Sequence, residues 1–327
     1  MVLSKMAEAD TKAAAANSSG WVVEALYTYP VKSCQGVALD ESLVGETGLV
    51  YDRLWMVINS KTGCFVTQRQ MPQLALVSVK IDQNHGTLEL SAPNMETALR
   101  LPLHPQKDKH LGERVKVRVW YDDVIGRCCG DDASAWFTQF TGRPARLLYK
   151  DPDEHRLVSR YLPKEGSCET PPKSGFADVF PFHITTRQSL QDVNSRVPRP
   201  LTHQHFRPNI VLAAADNAAD QGCPAYDEES WKRIEVAADH GQESWDMFVT
   251  SRTPRCTMPN VDLETGTMHS DGEPMRTLRT FRLSDPGKPN FVCFGMQAAP
   301  QRIGQNIRVG QTVAVVERGY HSLTEPL

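Results

Sequence analysis

Apolar and polar residues alternate with a period of two in several short segments of the first half of the chain. In residues 114–119, three valines alternate with arginine and lysine, which is the pattern of a half-buried strand. Comparable segments are Trp21–Thr28, Val50–Ile58, Val77–Ile81 and Thr87–Ser91. The connections between these segments are too short for crossover helices, so antiparallel pairing is predicted.

Strand patterns return in the second half, and helices are few. The predicted strands there are Asn209–Ala214, Lys232–Val236, Met247–Ser251, Arg276–Leu283 and Thr312–Glu317. A number of short strands separated by turns favours a β-barrel. The chain is therefore predicted to be mostly β, in an α+β arrangement with a few short helices.

Two helices can be placed from their end signals. Asp131 or Asp132 would cap the first helix, and Gly142 would end it. Thr186 would cap the second helix, with apolar residues on its inner face.

A proline-rich, charged segment divides the chain. Residues 151–175 contain four prolines and no apolar period, which predicts a linker or a surface loop over a cleft. The domains are then 21–150, β-rich, and 176–320, a β-barrel. Residues 1–20 hold an alanine run interrupted by charges and are interpreted as a disordered tail without a membrane anchor.

The charge and the cysteines narrow the function. A net charge of −3 without a basic stripe argues against a nucleic-acid partner and favours small molecules or proteins. Eight scattered cysteines without a Cys-x-x-Cys pair indicate neither a zinc ribbon nor a secreted disulfide framework. A reducing compartment fits best.

Cys256 is the strongest candidate for chemistry. Arg255 precedes it directly, and a neighbouring guanidinium favours the thiolate, which binds soft metals. One thiolate cannot form a closed zinc site, so a cofactor would have to supply further ligands. The alternative is an inert, buried cysteine.

Other polar residues suit an anion. Lys32 and Ser33 lie in a turn between two apolar strands, where free backbone amides can bind phosphate. Arg207 and Asn209 flank a proline that presets the backbone before a strand, so Arg207 could clamp a phosphate bidentately. Arg69 is a further candidate, and solvated loop charges are the alternative for each.

Several other residues receive a structural interpretation. His203 and His205 could form a metal pair on one face of a strand, but their segment is a proline-flanked loop, so solvated side chains are predicted. Asp52 and Arg53 are interpreted as an ion pair that orients a loop. The chain contains no Gly-x-Gly-x-x-Gly, Walker, Gly-x-Ser-x-Gly or His-Glu-x-x-His motif. Nucleotide binding and standard hydrolase chemistry are therefore not supported.

Five motifs occur in a fixed order along the chain. They are Tyr29-Pro30-Val31-Lys32-Ser33-Cys34-x-Gly36, Asp52-Arg53-x-Trp55, Thr67-x-Arg69-x-x-Pro72-x-Leu74, Phe206-Arg207-Pro208-Asn209-Ile210-Val211 and Arg255-Cys256-x-x-x-x-Val261-Asp262-x-x-Thr265-Gly266. In this order they resemble the MOSC superfamily, and within it the mitochondrial amidoxime-reducing components, from about Trp21 to Glu317. The resemblance implies an N-terminal MOSC-associated β-rich domain and a MOSC β-barrel, with a molybdenum–molybdopterin cofactor in the cleft between them.

The resemblance also assigns roles to residues. It implies that Cys256 is the protein ligand of molybdenum and that two pterin dithiolene sulfurs complete the soft ligand set. It places Asp262 as a proton-relay or supporting catalytic group. The residues that would hold the pterin and its phosphate are Lys32, Ser33, Arg69, Arg207, Asn209 and Arg255. The chain departs from the family pattern at residues 177–182 and at Pro254.

The implied function is an oxidoreductase that reduces N-hydroxylated compounds such as amidoximes and hydroxylamines. Its expected partners are a cytochrome b5-type electron donor and an NADH-dependent reductase, in the cytoplasm or associated with the mitochondrial surface. The alternatives are a cofactor carrier or sulfur-transfer module, and a structural β-protein without cofactor. At the level of the superfamily, pyridoxal phosphate binding is a further association.

Overall fold

A computed structural model describes residues 20–162, 166–215, 223–239 and 241–323. The chain is mostly β, as predicted. The predicted tail, apart from residue 20, lies outside the described residues. The strands are β1 (Trp21–Thr28), β2 (Val37–Leu39), β3 (Glu41–Gly45), β4 (Gly48–Leu49), β5 (Trp55–Asn59), β6 (Ser78–Asp82), β7 (Thr87–Ser91), β8 (Leu99–Pro102), β9 (Arg114–Val119), β10 (Asp122–Cys128), β11 (Ala145–Lys150), β12 (Arg156–Leu157), β13 (Lys173–Ser174), β14 (Phe182–Thr186), β15 (Ile210–Ala214), β16 (Trp231–Val236), β17 (Trp245–Pro254), β18 (Val261–Asp262), β19 (Thr267–Met268), β20 (Cys293–Pro300), β21 (Asn306–Arg308) and β22 (Thr312–Arg318).

Helices are short. They are α1 (Lys107–His110), α2 (Asp131–Thr141), α3 (Arg187–Asn194) and α4 (Met275–Leu278), with 3-10 turns at Pro72–Leu76, His203–His205, Asp227–Ser230 and Met258–Asn260. Within the described ranges no helix has the length and apolar character needed to cross a bilayer.

Seven strands close into a barrel. Their order is β15-β14-β20-β17-β16-β22-β1, and β1 pairs again with β15 to complete the circle. Pairing is antiparallel except between β14 and β15, which run parallel. Large apolar side chains such as Trp21, Trp231 and Trp245 fill the barrel core, because alternate residues of each strand point inward.

The segment between β2 and β12 forms smaller sheets. A four-stranded sheet has the order β5-β11-β10-β9, and a three-stranded sheet has the order β6-β7-β8. A second apolar cluster, which includes Trp55, Trp136 and Phe137, packs between them and α2. Since β1 and β2 belong to the barrel sheet, the two halves of the chain interlock, and the limits of the predicted domains stay a prediction.

Two of the predicted strands are wrong in part or whole. The strand predicted over Val50–Ile58 begins only at Trp55, because Tyr51 and Arg53 have φ values of 68° and 47°, which are incompatible with an extended chain. The strand predicted over Arg276–Leu283 is replaced by α4 and the turns after it. Met275 and Leu278, three residues apart, face one apolar cluster from this helix. Strands β14 and β20 were not predicted.

The predicted end of α2 and the predicted N-cap of α3 are confirmed, whereas the predicted N-cap of α2 is wrong. Gly142 ends α2 in the left-handed conformation, as predicted, with φ 64°. The predicted aspartate cap of α2 is wrong, because the N-cap is Gly130. Asp131 and Asp132 lie in the first turn, where the positive end of the helix dipole stabilises their negative charges. Thr186 caps α3 as predicted, and its side chain accepts from the Ser189 amide.

Replacing Thr186 by alanine should lower the free energy of unfolding by about 1–2 kcal/mol. The Thr186 Oγ1 accepts from the Ser189 amide at 3.3 Å and lies 3.1 Å from Oε2 of the buried Glu228, so both contacts are lost. Urea denaturation followed by circular dichroism measures the change. Thr186→Ser keeps the hydroxyl and is the control; equal stability of the two variants would contradict the cap.

Candidate active site

A cavity of about 470 Å³ draws its walls from both halves of the chain. Seven of the eight predicted site residues line it: Lys32, Ser33, Arg69, Arg207, Asn209, Arg255 and Cys256. Asp262 is not among the lining residues. Six basic and two acidic side chains face the cavity, so its charge suits an anion.

Cys256 lies just beyond the end of β17, at the barrel rim. It is half-buried and carries a free thiol. The described residues contain no group of three or more His, Cys, Asp or Glu side chains able to hold a metal among themselves. A metal at Cys256 would thus take most of its ligands from a cofactor.

Arg207 presents an unsatisfied donor. Its backbone is left-handed, with φ 56°, and its Nη1 donates to the Cys34 carbonyl at 2.6 Å. Its Nη2 is buried and has no hydrogen-bond partner. Burial, together with the nearby Arg53, lowers the pKa of Arg207 to about 10. An anion at this guanidinium would satisfy the Nη2 donor and offset the cost of burying the charge.

Arg255 offers a second such donor. Its Nη2 donates to the Phe206 carbonyl at 2.8 Å, whereas its Nε is buried without a partner. Burial lowers the pKa of Arg255, and the neighbouring Cys256 opposes that shift. Buried donors are rarely left unpaired in proteins, so Arg207 and Arg255 together indicate the place of an anionic ligand.

Neither Arg53 nor Tyr29 is a predicted site residue, yet Arg53 lines the cavity and Tyr29 packs against two of its arginines. The predicted Arg53–Asp52 ion pair is present at 2.6 Å, but Arg53 also lines the cavity and donates to Asn209 Oδ1 and the Arg207 carbonyl. The Tyr29 ring lies 4.4 Å from the Arg53 guanidinium and 4.2 Å from that of Arg207. Tyr29 therefore spaces the two cations and fixes their positions.

A glycine makes room for this ring. A Cβ at Gly36 would lie 2.4 Å from Tyr29 Cε1, so any larger residue would displace the ring. The motif that joins Tyr29 to Gly36 thus has a packing reason. The Asp52-Arg53 motif is the corresponding sequence signal for Arg53, although the ion pair is only one of the contacts that Arg53 makes.

Lys32 and Ser33 occupy the turn after Tyr29. Lys32 Nζ donates to the Phe176 carbonyl at 2.8 Å and to Asp178 at 2.5 Å. Burial lowers the pKa of Lys32, and Asp178 opposes the shift. Ser33 is buried with φ 72°, and its carbonyl accepts from Gln68 Nε2. Lys32 is already paired, so it contributes mainly its charge to the cavity.

Asn209 makes hydrogen bonds, whereas Arg69 lies against an aromatic ring. Asn209 Oδ1 accepts from Arg53 and from the His183 amide, and its Nδ2 donates to the Tyr27 carbonyl, so Asn209 ties barrel strands to Arg53. The Arg69 guanidinium lies 4.7 Å from the Trp120 ring centroid. Asn209 therefore acts through positioning, whereas Arg69 adds charge beside an aromatic wall.

Asp262, His203 and His205 do not line the cavity. Asp262 Oδ1 accepts from the Glu264 and Thr265 amides at 2.9 Å each, and these bonds hold the pKa of its carboxyl below the usual range. Its proton-relay role stays a prediction. His203 and His205 lie in a 3-10 turn and bond to threonines.

Comparisons with known proteins fit this geometry. Residues 20–144 match the MOSC N-terminal beta barrel domain, and residues 171–314 match the MOSC domain. "Mitochondrial amidoxime reducing component 2" of Rattus norvegicus is 32% identical over 301 residues, which cover 89% of this chain and 82% of the relative. "Mitochondrial amidoxime-reducing component 1" is 33% identical in Mus musculus over 300 residues, covering 89% of this chain and 81% of the relative.

The same component 1 of Homo sapiens is 33% identical over 305 residues, with 89% of this chain and 82% of the relative covered. These comparisons give no support to pyridoxal phosphate binding. Both MOSC models and relatives above 30% identity span most of the chain, in the order that the motifs predict. The chain belongs to the MOSC superfamily and, within it, to the family of the mitochondrial amidoxime-reducing components.

Proposed function

We propose that the chain is a molybdenum-cofactor-dependent oxidoreductase that reduces N-hydroxylated compounds such as amidoximes and hydroxylamines. One observation carries the proposal. The thiol of Cys256 lines the same cavity as Arg207 and Arg255, and each arginine has a buried, unpaired donor. A single soft ligand beside unsatisfied cations is the donor set that a phosphate-bearing, sulfur-rich metal cofactor needs.

Different side chains of the cavity would bind different parts of the cofactor. Cys256 would bind the metal, while Arg207 and Arg255 would donate to the phosphate and the pterin edge. Lys32 and Arg69 would add positive charge, and Ser33 would lie beside the pterin. When bound, the cofactor would supply a metal centre that passes two electrons from the external donor to the N–OH group, whose oxygen leaves as water after uptake of two protons.

Arg53, Asn209 and Tyr29 would set the geometry of that site. Arg53 bonds to Asn209 and to the Arg207 backbone, and Tyr29 stacks between Arg53 and Arg207. Side chains held in this way lose little conformational freedom when the ligand binds, which favours binding.

External redox proteins would deliver the electrons. By analogy with the family, the proposed donor is a cytochrome b5-type protein reduced by an NADH-dependent reductase. The relatives are named mitochondrial. For this chain we propose a location in the cytoplasm, either free or associated with the mitochondrial surface.

Metal content and turnover, measured on one preparation, test the function. The protein is purified from a molybdate-supplied host that makes the pterin, and molybdenum is measured by mass spectrometry. We expect about one molybdenum per chain, and repeated reduction of benzamidoxime with a chemical donor. Bound cofactor that passes to an apo-enzyme without turnover would favour a carrier or sulfur-transfer module, and absence of metal and pterin would favour a structural protein.

Replacing Arg207 by glutamine should weaken cofactor retention by about 10- to 100-fold, because charge-assisted hydrogen bonds to an anion contribute about 1.5–3 kcal/mol. Molybdenum remaining after stepwise dialysis measures the effect. The control is Arg100→Gln, whose arginine pairs with Glu89 at the surface, outside the cavity. Equal retention in the two variants would remove Arg207 from the binding site.

A further inference from the structure

The tip of the β9–β10 hairpin has an unusual sequence for its geometry. Val119 pairs with Asp122, so only Trp120 and Tyr121 form the turn. Two-residue hairpin turns favour glycine or asparagine, since their first residue has a positive φ. Trp120 has a φ of 57°, which is strained for a bulky side chain. The tip of the hairpin therefore carries two aromatic rings although this turn disfavours bulky residues.

Both rings line the cavity and remain open to solvent. Trp120 is 38% exposed and Tyr121 is 54% exposed. Arginines hold the rings in place: Arg69 lies 4.7 Å from the Trp120 ring, and Arg160 lies 4.6 Å from the Tyr121 ring. Phe65 also packs edge-on against Trp120, at 5.9 Å between centroids. The two rings are thus fixed side walls of the cavity.

A third exposed apolar residue joins them. Phe291 is 45% exposed and lines the same cavity as Cys256. Exposed aromatic residues that converge on one concave site mark a ligand-binding surface. The cavity of about 470 Å³ is concave, so it suits a small molecule and not the flat surface of a protein.

We propose that Trp120 and Tyr121 determine substrate specificity by stacking against a planar ring of the substrate. The chain then prefers N-hydroxylated compounds whose head group is attached to an aromatic or heteroaromatic ring over aliphatic compounds with the same head group. The proposal rests on the proposed function, because it concerns the substrate of that site. Offset or edge-to-face ring pairs supply the preference.

The proposed substrate preference can be tested by replacing Trp120 and Tyr121 with residues that a two-residue hairpin turn favours. The variant is Trp120→Gly/Tyr121→Asn, with the single Tyr121→Asn as a milder form that leaves Trp120 and its contacts in place. The substrates are benzamidoxime and acetamidoxime, which share one head group. We expect the ratio of their kcat/KM values, measured on cofactor-loaded protein with a chemical donor, to fall about tenfold in the double variant. Circular dichroism checks that the double variant keeps its fold.

The control is Tyr320→Asn, whose tyrosine is 68% exposed and lies outside the cavity; its ratio should equal that of the wild type. Binding of both compounds to loaded protein without reductant, by calorimetry, gives a readout independent of turnover. An unchanged ratio in the double variant, or an equal fall for both compounds, overturns the proposal. Tighter binding of benzamidoxime that is lost in the variant, without turnover in the wild type, would support ring recognition and reject the proposed function.

Discussion

If the proposed function holds, replacing Cys256 by serine should remove molybdenum from the protein and lower benzamidoxime reduction by more than about 100-fold, since even residues that merely support a metal ligand contribute 10- to 100-fold. Serine keeps the size of the side chain but offers a hard oxygen in place of a soft sulfur. Molybdenum content by mass spectrometry and turnover with a chemical donor, measured on the same preparation, report the two effects.

The matched control is Cys64→Ser. Cys64 is an exposed free thiol that does not line the cavity, so its replacement should change neither molybdenum content nor turnover. Circular dichroism of both variants checks that the fold is kept. A Cys256→Ser protein that retained full molybdenum and full benzamidoxime reduction would refute Cys256 as the ligand.

Replacing Arg53 by methionine lowers the free energy of unfolding by about 3–5 kcal/mol, because removal of one partner leaves a buried charge uncompensated. The Asp52 side chain is 0% exposed and the Arg53 side chain 12%. Arg53 Nη1 donates to both carboxylate oxygens of Asp52. Without it, Asp52 keeps the Tyr29 amide, which donates at 2.9 Å. Urea denaturation followed by tryptophan fluorescence measures the loss.

A double variant separates the charge from the packing. Asp52→Asn/Arg53→Met removes both charges and should recover at least half of the stability lost in Arg53→Met, and the coupling follows from the four-protein cycle. Arg53→Lys should stay well below the wild type, because an ammonium cannot donate to two carboxylate oxygens and two carbonyls in one plane. Equal stability of the wild type and Arg53→Met would refute the buried ion pair.

The loss in Arg53→Met should also depend on pH. Burial raises the pKa of Asp52 above its ordinary value of 3.8, and Arg53 opposes that shift, so its removal raises the pKa further. Between the Asp52 pKa of the folded wild type and the higher one of the folded variant, the variant holds a proton that the wild type has released, so the difference in stability grows as pH rises through this interval. The difference between wild type and variant should therefore be smaller at pH 5 than at pH 7.

The sequence predicts best where local signals act alone. Trp21–Thr28 and Thr87–Ser91 form strands with the predicted bounds, and Thr186 caps α3. Predictions fail where distant contacts decide: α4 forms because Met275 and Leu278 pack on Phe206 and Phe294 from other parts of the chain. Local patterns carry no information about such partners.

In the site, too, the sequence predicts residues that belong to local motifs but not the contacts that join distant motifs. The motif order located seven residues that the fold brings to one cavity. It could not show that Arg53 reaches from the second motif to Asn209 and the Arg207 backbone, because that contact depends on how the sheets pack. The sequence alone does not single out Trp120 and Tyr121 for a related reason: only the pairing of Val119 with Asp122 places them in a two-residue turn.

Closure of the barrel by β1 has a kinetic consequence. β1 pairs with β15 and with β22, so Trp21 lies opposite Val313. On a ribosome, β1 is made long before β22 and must wait for that strand to complete its pairing. The intervening sheets can fold from nearer contacts during that wait. We therefore expect slow refolding, in which β1 associates late, and a need for protection against aggregation while its edges are unpaired.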